Sequence, residues 1–312
     1  MIRAFDFSGG WTYALAMRRA TALFFGLLVL LAASPVAPAR FSAPGFDRAA
    51  DLHGNPDGAD LVLFVAGNQW FVMPDLVAAF RAEHPSVRTV FYETLPPGVL
   101  GQQIASGELD IDDLTLRMHG DVYLSGRAGA AKLKAAGLIG SAVPYASNGL
   151  GIMVRAGNPL HITSMNDLGR RDVRVAMPNR KTEGIARQIE ASYRLAGGEA
   201  LDTTIMNTKV AAGTTVMTTI HHRETPAWIL EGKVDAGPVW LTEARYQQRI
   251  GSGLVGVVIP ASQSVIETYV ASPITGAPHA SAAQAFLAFL ISPHAQAIYR
   301  SYGFAPPVAA KE

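Results

Sequence analysis

The feature that most restricts this chain is the run Leu61-Val62-Leu63-Phe64-Val65-Ala66, unbroken by any polar residue and closed by Gly67-Asn68. A strand with one wet face alternates polar and apolar residues, so an unbroken run predicts a strand covered on both faces. The period then changes: Leu76, Val77 and Phe80 stand at helical spacing in a segment opening near Pro74 and closing at His84-Pro85. The alternation repeats, with strands expected over 87–92 and 121–125 and helices over 99–106 and 128–136. Beyond a long strand at 149–155, a strand at 173–177 precedes a helix over 182–195, and a helix over 225–231 precedes a strand over 235–240. Strand followed by helix, repeatedly, predicts an α/β fold whose sheets are largely parallel and flanked by helices, with ligands at the carboxyl ends of the strands. In the first half of the chain those ends are the loops 67–70, 93–98 and 125–127.

The two ends of the chain add a second constraint. Near the end, Phe286, Leu287, Phe289 and Leu290 form an apolar stripe, Ser292-Pro293 suits a helix start, Ile298, Tyr299 and Tyr302 continue a buried face, and Gly303 suits a stop. Near the beginning, Arg18-Arg19, the apolar stretch 23–33 and Ala37-Pro38-Ala39 compose a cleavable export signal. Met17 is then the expected natural start. The apolar stretch is shorter than the roughly 20 residues a membrane-spanning helix needs, and Pro35 follows it.

The phrase Phe286-Leu287-Ala288-Phe289-Leu290-Ile291-Ser292-Pro293-His294-Ala295-Gln296-Ala297-Ile298, continued by Tyr302-Gly303-Phe304-Ala305-Pro306, resembles the C-terminal helix pair of extracellular solute-binding proteins of ABC importers, the molybdate- and sulfate-binding branch in particular. The resemblance spans about residues 60–307, in spacing and phrase more than identity. It implies a two-lobed periplasmic binding protein of type II, each lobe a mostly parallel sheet flanked by helices, joined by two crossover strands, the chain crossing at 144–148 with the long strand 149–155 and crossing back at 266–272. The expected division is a signal peptide over 1–39, a leader loop over 40–59, a first lobe from 60–144 and 272–312, and a second lobe over 145–271. The implied partners are a small-molecule or ion ligand, foremost a molybdate- or tungstate-like oxyanion, and an inner-membrane ABC permease, with a membrane sensor as the alternative. A metal ion or a small organic solute remains the alternative ligand.

Composition fits export. Removing residues 1–39 takes Arg3, Arg18, Arg19 and Asp6 from 26 basic and 25 acidic side chains, leaving about 273 residues near net charge −1. That balance offers nothing to nucleic acid. The absence of cysteine excludes disulfides, thiolate metal sites and a lipid-modified cysteine anchor. The expectation is a soluble periplasmic monomer without cofactor. Length favours two domains.

The resemblance implies ligand contact by backbone amides at helix N-termini and by neutral hydroxyls, since unpaired N–H groups and the helix dipole hold an oxyanion without formal countercharge. In the first loop Asn68 and Gln69 offer amide hydrogens and Trp70 a wall, although Asn68 reads equally as a turn residue. Where the family has a glycine and serine pair, this chain has Glu93-Thr94, and a carboxylate there repels an oxyanion unless it turns away. Ser125 ends the third strand. In the second lobe the candidates are Lys181 and Thr182 at a helix start, Thr214 and Thr215 before an apolar segment, and Trp240 with Thr242 after a strand. Threonine at a helix start is more often a cap.

His221-His222-Arg223-Glu224 is the most unusual phrase. Two histidines and a carboxylate suggest a metal, with His119 and Glu93 as further ligands, but adjacent histidines point about 100° apart on a helix and to opposite faces of a strand. No metal is favoured, and Thr225-Pro226 explains half the phrase as a helix start. The chain carries no Gly-x-Ser-x-Gly elbow, Walker loop or His-Glu-x-x-His. It reads as a binding protein and not an enzyme.

Overall fold

The computed structural model describes residues 51–111, 114–181, 183–218 and 224–308. The segment expected as an export signal, and His221, His222 and Arg223, lie outside the described residues.

The apolar run is a strand as expected, β2 (Leu61–Ala66), and every residue of it is buried. Before it, in the segment expected as a leader loop, β1 (Leu52–His53) adds a short antiparallel edge to β3 (Val90–Leu95). Helix α1 (Met73–Glu83) buries Leu76 and Phe80, and α2 (Pro97–Ser106) starts on proline and stops at Gly107, whose φ of 78° is the left-handed conformation glycine tolerates. A hairpin of β4 (Glu108–Ile111) and β5 (Leu114–Arg117), which sequence patterning does not announce, leads to β6 (Val122–Gly126) and α3 (Arg127–Ala135). Strands β3, β2 and β6 are parallel neighbours, the βαβ arrangement expected.

The chain then runs through β7 (Val143–Arg155), a single strand of 13 residues. The other lobe follows with β8 (Val175–Met177), α4 (Ile185–Thr203), β9 (Thr215–Met217), α5 (Glu224–Leu230), β10 (Ala236–Trp240), α6 (Leu241–Arg249) and β11 (Leu254–Val258). Strand β12 (Ile266–Pro273) returns, and α7 (Ala280–Leu290) and α8 (Pro293–Ser301) close the fold as the helix pair the sequence predicts. Ser292 caps α8 by accepting from the Ala295 amide at 3.2 Å, and Gly303 stops it at φ 88°. Helix α4 continues past the expected stop at 195 through a break at Gly197-Gly198.

The strand order β1-β3-β2-β6-β12-β7-β10-β8-β9, with β11 also on β7, runs through both lobes. Within each lobe the βαβ strands are parallel, while β7 and β12 run antiparallel to each other and to their outer neighbours. Each half-sheet is covered on both faces. In the first lobe Leu63, Phe80, Phe286 and Tyr299 build one core, and Phe64, Phe91, Leu100 and Tyr123 the other. In the second, Ile152, Val175, Ile189 and Tyr193 lie opposite Met153, Ala176, Trp228 and Val239.

The second strand sits three residues later than patterning predicts, at 90–95 instead of 87–92, which draws Glu93 and Thr94 out of the loop and into the sheet. Both are 0% exposed. Thr94 donates to Asp51 at 2.7 Å, and Glu93 accepts from the Gln103 side chain of α2 at 3.0 Å. Burial pushes the Glu93 carboxyl up to about 7, the Gln103 hydrogen bond opposing weakly. A raised acid pKa favours the protonated fold, so stability is lost as pH rises from the unfolded value near 4.5 to about 7 and stays lost above it. Urea unfolding at pH 5 and pH 8 should show a decline in the wild type that is largely absent in Glu93→Gln, a difference on the order of 3 kcal/mol.

Candidate functional site

A cavity of about 650 Å³ opens between the lobes at the carboxyl ends of β2, β3 and β6 on one side and of β8 and β10 on the other. The position follows from topology: parallel strands present their outgoing loops to one edge, and two such edges face each other across the crossover strands. From the first lobe come Gly67 and Asn68, Pro96 to Gly98, and the start of α3; from the second come Arg180, Lys181 and the first turn of α4; Glu267 and Tyr269 of β12 line the cavity between them.

Four residues anticipated from sequence meet here: Asn68, Ser125, Lys181 and Trp240. Asn68 is buried and donates its side-chain amide to the Tyr269 hydroxyl. That hydroxyl is also bonded to Asn148, whose amide donates to Thr242 at 2.7 Å, and burial holds Tyr269 well above the ordinary tyrosine range. Trp240 stands edge-on to Tyr269, ring centres 6.1 Å apart. Ser125 lies beside Tyr123, which burial raises to about 12 and the Ser125 hydrogen bond lowers. Lys181 is exposed at the mouth, its amide bonded to the Asn179 side chain at 3.0 Å.

The other candidates are placed elsewhere. Gln69 is fully buried beneath the site, accepting from Tyr145 at 2.9 Å and Tyr299 at 3.2 Å. Trp70 packs edge-on against Tyr246 of α6, 5.0 Å between ring centres. Glu93 and Thr94 are internal to the first lobe. Thr214 and Thr215 precede or begin β9, the end of the strand away from the cleft, and Thr214 donates to the Lys209 carbonyl at 3.3 Å. Thr242 is buried on α6. Thr182 lies outside the described residues. Of the metal candidates, Glu93 belongs to β3, His119 is exposed near Gly107, and Glu224 opens α5. Among the described residues no cluster of three such groups forms.

Sequence reasoning named Lys181 and passed over the cleft's other charged residues. Lys132 on α3 and Arg180, Lys181 and Arg187 of the second lobe are all exposed and all line the cavity. Arg180 pairs with Glu190. Glu183, nearly buried, accepts from the Thr218 hydroxyl and from the Asn179 amide at 3.2 Å. Thr218, at the outgoing end of β9, thus reaches the cavity only through Glu183. The available signal was the Arg-Lys dipeptide after a strand and the charge in the crossover phrase Ile266-Glu267-Thr268-Tyr269.

A profile of bacterial extracellular solute-binding proteins matches residues 61–305. The chain belongs to that family. This solute-binding protein shares its two-lobed fold with solved structures at low identity. It is 21% identical to the sulfate-binding protein SubI of Mycobacterium tuberculosis H37Rv, covering 79% of this chain and 86% of that one at a TM-score of 0.66. The periplasmic molybdate-binding protein of Azotobacter vinelandii is 18% identical over 80% of this chain and all of its own, at a TM-score of 0.63. PEB3 of Campylobacter jejuni, solved with L-phospholactate bound, is 16% identical over 78% and 99% at a TM-score of 0.60. No curated protein matches in sequence. The family match makes the chain a solute-binding protein. Among the described residues no helix is long and apolar enough to cross a membrane.

Removing the Tyr269 hydroxyl leaves a buried amide of Asn68 without its acceptor. Tyr269→Phe should lower stability by about 1–3 kcal/mol in urea unfolding.

Proposed function

We propose that this solute-binding protein is exported to the periplasm, captures a small anionic solute between its lobes and presents the closed form, as a monomer, to an inner-membrane ABC permease. The observation that carries the reading is the arrangement of cations around one cavity, Lys132 from the first lobe opposite Arg180, Lys181 and Arg187 from the second. Such a rim attracts anions from solution, and an anion bridging it favours the closed arrangement of the lobes, because only there do both sides contribute. A free oxyanion such as molybdate or tungstate is the smallest ligand of this class, and a phosphorylated or carboxylated organic solute is the larger form.

Glu93, the feature that weighs against an anion on sequence grounds, is buried in the sheet and so does not count against this reading. Differential scanning fluorimetry against molybdate, tungstate, sulfate, phosphate and a set of organic phosphates and carboxylates tests it. A cognate anion at 100 times its dissociation constant should add about 2.7 kcal/mol of stability. Charge reversal in Arg187→Glu should abolish that gain while leaving the ligand-free melting temperature within a few degrees, since the side chain is exposed. The absence of stabilisation by every anion in the set rejects the reading.

A further inference from the structure

The amides at the start of α3 face the cleft, and the first of them is already taken. Oε1 of Glu267 accepts from the Arg127 amide at 3.1 Å, and Oε2 accepts from the Gln188 side chain of α4 at 2.9 Å. The carboxylate thus spans both lobes from the crossover strand β12, opposite Asn148 in register. Its seat is shaped for it. A Cβ at Gly126, the residue before Arg127, would stand 3.0 Å from the Glu267 carboxyl carbon and 3.1 Å from Oε1, so bare backbone is what lets the carboxylate approach. Across the cavity, Glu183 places a second, nearly buried carboxylate beside the start of α4.

The charge of the cleft is therefore layered, with carboxylates at the floor and the cations Lys132, Lys181 and Arg187 at the rim. A tetrahedral dianion drawn in by the rim meets a fixed negative charge where a helix N-terminus would otherwise receive it, and cannot use the Arg127 amide without displacing Glu267. An organic molecule with its anionic group at the rim and a hydroxyl or ammonium donor at the floor satisfies both layers. The room is there: about 650 Å³ falls among organic-ligand pockets of about 300–1,000 Å³, with Tyr123, Leu133, Ile185 and Trp240 supplying apolar wall.

We propose that Glu267 is the specificity-determining residue of the cleft, occupying the α3 amide and selecting organic anions with an inward-facing hydrogen-bond donor over free tetrahedral dianions. The inference rests on the anion-capture reading above. Isothermal titration of the full mature chain with sodium molybdate, sodium sulfate, glycerol 3-phosphate and O-phospho-L-serine tests it in wild type, Glu267→Gln and Gln188→Leu. Glu267→Gln keeps the size and one acceptor of the side chain, and its melting curve reports whether it folds.

The expected result is that at least one organic phosphate binds wild type more tightly than molybdate or sulfate do. Glu267→Gln should then gain at least about tenfold for molybdate and lose about tenfold for the organic phosphate. Gln188→Leu, which retains the carboxylate, should show no gain for molybdate. Wild type binding molybdate or sulfate as tightly as Glu267→Gln, or more tightly, overturns the inference and leaves anion capture standing. If none of the four anions binds wild type or Glu267→Gln, this inference falls, and the wider anion screen above decides anion capture.

Discussion

The pairing of β7 with β12 is the interaction on which the rest depends, because it is where two sheets become one. The first part of β7, over 143–149, pairs with β12 and the rest, over 150–155, with β10 and β11. Any rotation between lobes must therefore be absorbed in that ladder. Beneath it lies a buried layer of Tyr145, Tyr269 and Tyr299 joined through Gln69, Asn68 and Asn148. Burying so many polar groups is costly unless each is bonded; the bonds made here fix one geometry more sharply than apolar packing does, while Nε2 of Gln69 is buried without a partner among the described residues. The chain continues past α8 to add a third layer. Ser147 and Ala305 exchange backbone hydrogen bonds, and Arg127 and Thr268 both donate to the Val308 carbonyl. The segment 305–308 is thus tied to the crossover and to the start of α3 at once.

How far the sequence speaks depends on whether the partner of a residue is near it in the chain. The apolar run of β2, the stripe of α7 and the Ser292 cap are local signals, and each is found in place. Glu93-Thr94 reads as loop chemistry because two polar residues beside Pro96-Pro97 have no local reason to be buried. Their partners, Asp51 and Gln103, come from 43 and 10 residues away. Thr214 and Thr215 fail differently. Two hydroxyls before an apolar segment suggest a binding loop, but the direction of β9 decides which end meets the cleft, and a three-residue strand gives no hint of direction by itself. Asn68, Ser125, Lys181 and Trp240 were legible because each follows, ends or closely succeeds a strand whose direction the βαβ rule had already fixed.

Glu267 and Tyr269 were missed for a reason that belongs to the fold. Their segment is recognisable as a crossover, and a crossover reads as connection; yet two lobes that face each other across a cleft make the connecting strands its floor. Residues on β12 then touch both lobes at once, which no loop within one lobe achieves. Glu267 does so through Arg127 and Gln188, and Tyr269 through Asn68 and Trp240.

Scaffold and ligand chemistry are separable here, and the separation has a physical basis. The C-terminal helices are held by interactions away from the cleft: Phe80 against Phe286 and Phe289, and the buried Asp121 accepting from the Val62 amide at 2.7 Å and from the amide and ring of His279 at 2.8 and 2.9 Å. None of these groups lines the cavity. The charge layers of the cleft, by contrast, sit on a strand end, the loop before α4 and the first two turns of helices, where a side chain changes without disturbing a core. A carboxylate can therefore be seated on a helix N-terminus at little cost to the fold, because the helix amide it satisfies would otherwise need water or ligand. The same bond that caps the helix also removes a donor from the site, so under the proposed role of Glu267 one side chain sets both helix stability and ligand choice.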